Sequence, residues 1–159
     1  MVFTEQFRDA MSCFHTGVTL ITTTDNNEPH GMTANSFTSV SLNPPTVLIS
    51  VDISNDTCIL INKTQQFGVN ILSHSHVDIA KTYSKKDANK RLETKNEFSF
   101  SASGLPVVKK SVAFFGCRVI GQHKYADHVI FFGKVEEMLT SEGKSALGYY
   151  KSKYVFRNL

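Results

Sequence analysis

The part of this 159-residue sequence best suited to chemistry is one run, Gly31-Met32-Thr33-Ala34-Asn35-Ser36-Phe37-Thr38-Ser39-Val40-Ser41-Leu42-Asn43-Pro44-Pro45. More than half of it is Gly, Ala, Ser, Thr or Asn. Residues that small pack a core poorly. They let a flat ligand approach the backbone, and they offer neutral donors and acceptors. The edge of a uracil-like ring asks for that pattern. A Ser/Thr-rich strand on a solvated sheet face has the same composition, so both readings stand at this point.

Other chemistries find little support. No GxGxxG is present, so a Rossmann nucleotide site is not expected. Gly143-Lys144-Ser145 imitates the end of a P-loop, but Met138 stands where its first glycine belongs. GxSxG is absent, which removes the hydrolase elbow. His74 and His76 would share one face of a strand, as metal ligands do. Nothing acidic joins them, so a surface pair without metal is the expectation. Cys13, Cys58 and Cys117 are odd in number and far apart, which argues against a disulfide framework and a cysteine zinc site.

These residues need elements to hold them. Phe7, Ala10, Met11 and Phe14 follow helical spacing over 5–14, and Gly17 is expected to end that helix. Val18 to Thr24 reads as a strand, followed by a turn at Asp25 to Pro29. Pro44-Pro45 should break the sheet before a buried strand, Thr46 to Val51. Ser54 is the expected N-cap of a helix over 54–62. Phe67 to Leu72 reads as a strand, Val77 to Tyr83 as a short helix, and Glu97 to Ser101 as a strand. Gly104-Leu105-Pro106 is a turn. Two long β runs, Ser111 to Gln122 and His128 to Leu139, are joined through Gln122 to Asp127. Short strands dominate and no βαβ alternation appears. The expected fold is therefore mainly β, an antiparallel barrel with a few flanking helices.

Composition bounds the rest. One domain, 1–159, suits this length. Apolar residues make up 41% and charged residues 19%, which excludes a disordered chain. No apolar run is long enough for a membrane span. Met1 to Asp9 carries Glu5, Arg8 and Asp9 and does not read as a secretory signal, so a cytoplasmic location is expected. The net charge is +3. Lys81 to Lys95 holds six basic residues against Asp87 and Glu93, a local +4 that leaves about −1 elsewhere. That is too small and too poor in aromatics for nucleic acid. A solvated face is the plain reading, and a site for a phosphorylated small molecule is second.

The run Thr16-Gly17-Val18-Thr19-Leu20-Ile21-Thr22-Thr23, the 31–45 segment and Val47-Leu48-Ile49-Ser50-Val51 together resemble the short-chain flavin reductases, the reductase components of two-component flavin monooxygenases. Phe67-Gly68-Val69-Asn70-Ile71-Leu72, Cys117 in Phe115 to Val119, Asp127-His128, Phe132-Gly133-Lys134-Val135 and Tyr149-Tyr150 with Tyr154 follow in the family's order. The match runs over 5–156. Ala126 replaces the family's usual glycine before Asp127-His128, Leu92 replaces a usual Phe, and His76 stands near a usual Gln.

The resemblance implies a split β-barrel of Greek-key, FMN-binding type that forms a homodimer and binds FMN or FAD. It implies NADH or NADPH as hydride donor and a flavin-dependent monooxygenase as recipient of the reduced flavin. Hydride transfer between two π systems requires no residue for proton transfer, and no metal is implied; the protein's part is positioning. By the same resemblance, Thr33, Ala34, Asn35 and Ser36 edge the flavin ring. Ser50, Val51 and Asp52 flank the ring and ribityl chain. Ser54 and Thr57 hold a phosphate at a helix start, completed by Ser84 and Lys85. Asp56 should face water. His128 contacts nicotinamide, and Tyr150 closes over the site or packs at the dimer interface. A flavin-binding electron carrier or sensor of the same fold, without nicotinamide oxidation, is the alternative. A barrel that has lost flavin is a third reading, which the intact 31–45 segment argues against.

Overall fold

The computed structural model describes residues 2–85, 91 and 93–156. Lys86, Lys90 and Leu92 of the basic stretch lie outside them. Among the described residues the strands are β1 (Thr16–Gly17), β2 (Thr19–Asp25), β3 (Glu28–Ala34), β4 (Phe37–Leu42), β5 (Pro45–Asp52), β6 (Gln66–Ile71), β7 (Phe98–Phe100), β8 (Pro106–Val108), β9 (Ala113–Tyr125), β10 (His128–Thr140), β11 (Gly148–Tyr150) and β12 (Lys153–Val155). The helices are α1 (Val2–Ser12), α2 (Asp56–Thr64) and α3 (Val77–Tyr83).

A seven-stranded sheet runs in the order β3-β2-β6-β9-β10-β5-β4, and its pairings are antiparallel. Ala34 on β3 and Val47, Ile49 and Val51 on β5 lie toward opposite ends of that order. They nevertheless share one buried cluster with Phe67, Cys117 and Phe131. The sheet is thus rolled into a barrel, and the barrel is split where the chain leaves β3 for β4. Ser36 bridges the split: its carbonyl accepts the Ser50 amide, and its Oγ donates to the Ser50 carbonyl at 2.7 Å. The expected β fold is thereby found.

Successive strand residues point to opposite faces. Ile21 therefore enters the barrel core, while Leu20 enters a second cluster with Leu72, Ile79, Ala80, Val108 and Leu147 outside it. This second layer carries α3, β8 and β11. A buried network ties it to the barrel. Asn70, fully buried, donates from Nδ2 to the Leu20 carbonyl and Thr22 Oγ1, both at 3.2 Å, and accepts the Val108 amide at 2.8 Å.

Several expectations are corrected. The 31–45 segment is two strands, separated at Asn35-Ser36, and Pro45 opens β5 instead of lying before it. Gly31 serves the chain: a Cβ there would stand 2.5 Å from the Ile21 carbonyl oxygen, so the small residue permits strand contact, not ligand approach. The N-cap of α2 is Asn55, whose side chain accepts the Thr57 amide at 2.9 Å. Ser54 lies one residue before the cap position, with its amide donated to Asp52 Oδ1 at 2.7 Å. The β9–β10 connection is tighter than expected, with Tyr125 opposite His128 and only Ala126-Asp127 between them. The hydrophobic stripe of α1 ends in a helix finishing at Ser12, before Gly17, and Phe7, Met11 and Phe14 remain exposed. Of the histidine pair, His74 is exposed as expected and His76 is not. His76 is buried, with Nδ1 accepting the Ser73 amide at 3.1 Å and Nε2 3.0 Å from the Lys109 carbonyl, which it meets as donor.

Candidate functional site

The edge strand β3 ends in a cleft of about 170 Å³ lined by Val18, Thr33, Ala34, Asn35, Ser84, Tyr149 and Tyr154. Three residues of the small-residue run thus meet the end of α3 and the C-terminal hairpin β11–β12. Their roles differ. Thr33 Oγ1 is committed to the Ala80 carbonyl at 2.7 Å, tying β3 to α3. Ala34 gives its carbonyl to Thr19 Oγ1 at 2.7 Å. The Asn35 side chain is exposed and makes no hydrogen bond to another described residue. An amide that carries both donor and acceptor, standing free beside a sheet edge, fits the imide edge of a flavin ring. Ser36 lies next in the chain but is occupied with Ser50, so it holds the corner that presents Asn35.

Two tyrosines face the cleft, and they are not the expected one. Tyr149 and Tyr150 are neighbours on β11 and must point to opposite sides. Tyr149 turns into the cleft and packs edge-on against Tyr154, its register partner, with centroids 5.3 Å apart. Burial raises the pKa of Tyr154, the neighbouring Tyr149 adds to this, and a hydrogen bond from Ser84 opposes it. Tyr150 instead lines a separate groove with His15, Leu147, Val155 and Phe156. It does not close over the Thr33–Asn35 cleft. Chain alternation in Gly148-Tyr149-Tyr150 was the signal for this, and the tyrosine pair alone did not reveal which ring faces in.

Ser50, Val51 and Asp52 lie along the end of β5. Val51 is buried in the barrel core, which leaves only its backbone for a ligand. Asp52 stands opposite His128 in the register of β5 and β10. His128 is exposed at the start of β10, and its Nδ1 lies 2.8 Å from Asp127 Oδ1. That hydrogen bond is the main cause holding the Asp127 carboxyl below its usual range. With Nδ1 donating to Asp127, Nε2 is the nitrogen turned toward a partner. The tight turn Ala126-Asp127 fixes this placement, and Ile53 is tied to it by donating its amide to the Asp127 carbonyl at 3.0 Å.

Thr57, in the first turn of α2, is fully buried, and its Oγ1 has no hydrogen-bond partner among the described residues. Asp56 beside it is exposed, as expected. Lys85 is exposed, and its carbonyl accepts Arg91 Nη2 at 2.8 Å. Arg91, one of the six basic residues of the 81–95 stretch, lies over the Tyr83 ring at 5.4 Å. Cys117 supplies no reactive thiol: burial, and secondarily Glu136, push it up to about 12. Among the described residues no cluster of His, Cys, Asp and Glu is suited to a metal.

A family model described as flavin reductase like domain matches residues 11–156. NADH-dependent flavin reductase StyB of Pseudomonas fluorescens is 33% identical over 151 residues, covering 93% of this chain and 86% of its own. The solved structure of flavin reductase PheA2 in the native state superposes with a TM-score of 0.86 at 34% identity, covering 98% of both chains. That of the styrene monooxygenase flavin reductase of Pseudomonas putida S12 gives 0.88 at 33%, covering 97% of this chain and 98% of that one. The chain spans about half the length, 47%, of two other curated relatives that it matches.

Proposed function

The chain belongs to the flavin reductase-like family, and on that premise we propose that it transfers hydride from NADH to FMN or FAD and releases the reduced flavin to a flavin-dependent monooxygenase. The observation that carries this reading is the free Asn35 amide at the mouth of the Thr33–Tyr154 cleft, just beyond the end of the edge strand β3. When bound, the flavin ring supplies the electrophilic nitrogen that accepts hydride. The chain's own residues position the reactants. Asn35 and the backbone of Thr33 and Ala34 hold the ring edge. Ser50 and the backbone of Val51 and Asp52 line the neighbouring strand end. Thr57, Ser84 and Lys85 serve the phosphate end of the ligand. Tyr149 and Tyr154 wall the cleft and exclude water from one side. Holding two rings within about 3–3.5 Å accounts for the catalysis, without a proton-transfer residue.

His128 places the nicotinamide through Nε2. His128→Ala should raise KM for NADH and lower kcat/KM about 2- to 150-fold, the worth of one hydrogen bond. Flavin affinity should barely move. The test follows NADH absorbance with free riboflavin, FMN and FAD, for the wild type and the variant. Flavin binding without NADH consumption by the wild type would make the chain an electron carrier. Collapse of flavin binding with an unchanged KM would remove the role given to His128.

The active species is a homodimer. Phe37, Leu42, Val47, Phe115, Val135 and Met138 line an apolar groove of about 530 Å³ continuous with the barrel core. Leu42 is 93% exposed there, and Phe3, Phe7, Met11 and Phe14 add a second uncovered apolar stripe on α1. Exposed apolar area of this extent marks an association surface. Light scattering at micromolar protein should give twice the 17.7 kDa chain mass, and a monomer mass would refute the dimer.

A further inference from the structure

The β9–β10 hairpin carries an aromatic ring that the reaction described above does not use. Tyr125 is 74% exposed and makes no hydrogen bond or ring contact with another described residue. The strand register places it. Asp52 on β5, His128 on β10 and Tyr125 on β9 form one row across three strands. Residues directly opposed in this way share a face of the sheet. In the adjacent row Val51 and Val129 enter the barrel core. Alternation then turns Asp52, His128 and Tyr125 to the outside of the barrel. The following row points outward again, with Ser50, Ile130 and His123. These side chains cover one outer patch, with its strands about 5 Å and its rows about 7 Å apart. The patch begins at Ser50, which is bonded to Ser36 beside the Asn35 corner, and it ends at Tyr125, with His128 between them.

The support under the ring is stiff. Only Ala126-Asp127 separates Tyr125 from His128, and the Asp127 carbonyl accepts the Ile53 amide at 3.0 Å. A tyrosine held on such a turn has few rotamers to lose when a ligand covers it. Charge gives the direction of approach. The Asp52 carboxylate lies on the β5 side of His128, whereas β9 carries Lys124 and His123 beside Tyr125. A dinucleotide whose nicotinamide lies at His128 therefore runs its anionic part past β9, away from Asp52. Tyr125 is the ring that it meets there. We propose that Tyr125 is a second residue of the hydride-donor site, its ring lying against the nicotinamide riboside end of the nucleotide that His128 places. The inference rests on the hydride-transfer reading above and adds a residue to its donor side. It makes Tyr125 a determinant of nucleotide binding that takes no part in holding the flavin.

The experiment is steady-state kinetics at saturating FMN for wild type, Tyr125→Phe, Tyr125→Leu and Tyr125→Ala. NADH and reduced nicotinamide mononucleotide serve as donors, and FMN dissociation constants are measured in parallel. Tyr125→Leu keeps apolar bulk on the strand and guards against local fraying in the alanine variant. The leucine and alanine variants should raise KM for both donors about 2- to 13-fold, the worth of one aromatic contact, with kcat unchanged. Tyr125→Phe keeps the ring and should stay at the wild-type KM. FMN affinity should be the same in all four proteins. A phenylalanine variant as weak as alanine would assign the effect to the hydroxyl and overturn the proposal. So would a KM raised for NADH alone, which would move the contact to the adenosine end, and so would a loss of FMN affinity, which would make Tyr125 a wall of the flavin site. A wild type that consumes neither donor removes the functional reading and this inference with it. A wild type that consumes both, with KM unchanged in the leucine and alanine variants, removes this inference alone.

Discussion

Asn35→Leu should weaken FMN and FAD binding about 5- to 150-fold, because a buried flavin carbonyl or N–H left unpaired costs about 1–3 kcal/mol. Leucine keeps roughly the size of the side chain and removes only its amide. Asn35 is exposed and hydrogen-bonds no other described residue, so its loss should not disturb folding. Riboflavin should lose as much affinity as FMN, since the contact is to the ring. Fluorescence titration of the folded variant decides it, and unchanged affinity for all three flavins would show that Asn35 is only a corner residue.

The second large effect concerns stability. Asn70→Leu should cost about 2–4 kcal/mol, or roughly 4–16 °C in Tm. Asn70 accepts the Val108 amide and donates to Leu20 and Thr22 with no exposure to water. Leucine fills the space but strands the Val108 amide in an apolar surround. Thr22 Oγ1 keeps its own bond to the Pro106 carbonyl at 2.7 Å, so β8 stays partly anchored. Denaturant melts of the two proteins give the difference directly. A loss below about 0.5 kcal/mol would mean that water or a shift of β8 replaces the network, as surface substitutions of that size suggest.

Much of the barrel was legible because strand signals are local. The Val/Ile/Thr-rich runs at β2, β5, β6, β9 and β10 lie where alternation and turn residues placed them, and α3 has the expected bounds. The corner at Asn35-Ser36 was not legible, since the break there is enforced by Ser36 bonding across the barrel to Ser50, a contact between strands. The N-cap misplacement has a similar cause. Ser54 and Asn55 are both good caps, and residue type alone does not say which of them directly precedes the first turn at Asp56. In the site, the ring-edge residues were readable as a composition. The residues added by tertiary folding, Tyr149 and Tyr154, come from a distant stretch, and no local pattern joins them to the end of β3. Asn70 was visible in the sequence only as part of a family motif, while its role as a buried tie emerged from its bonds to Leu20, Thr22, Pro106 and Val108.

The C-terminal hairpin sets a limit on how this chain can change in length. Tyr149 serves the cleft and Tyr150 serves the groove beside α1 solely by alternation in a three-residue strand. The loop before it, with Gly143 in a left-handed conformation at φ 71°, is exposed and should tolerate insertion where no pairing follows. A single residue gained or lost just after Gly148 would slip the register and exchange the two rings between the two cavities, while the seven-stranded sheet, whose strands pair separately from this small one, would keep its pairing. Homologous chains that differ by one residue here would therefore keep the architecture yet present a different wall to the ligand.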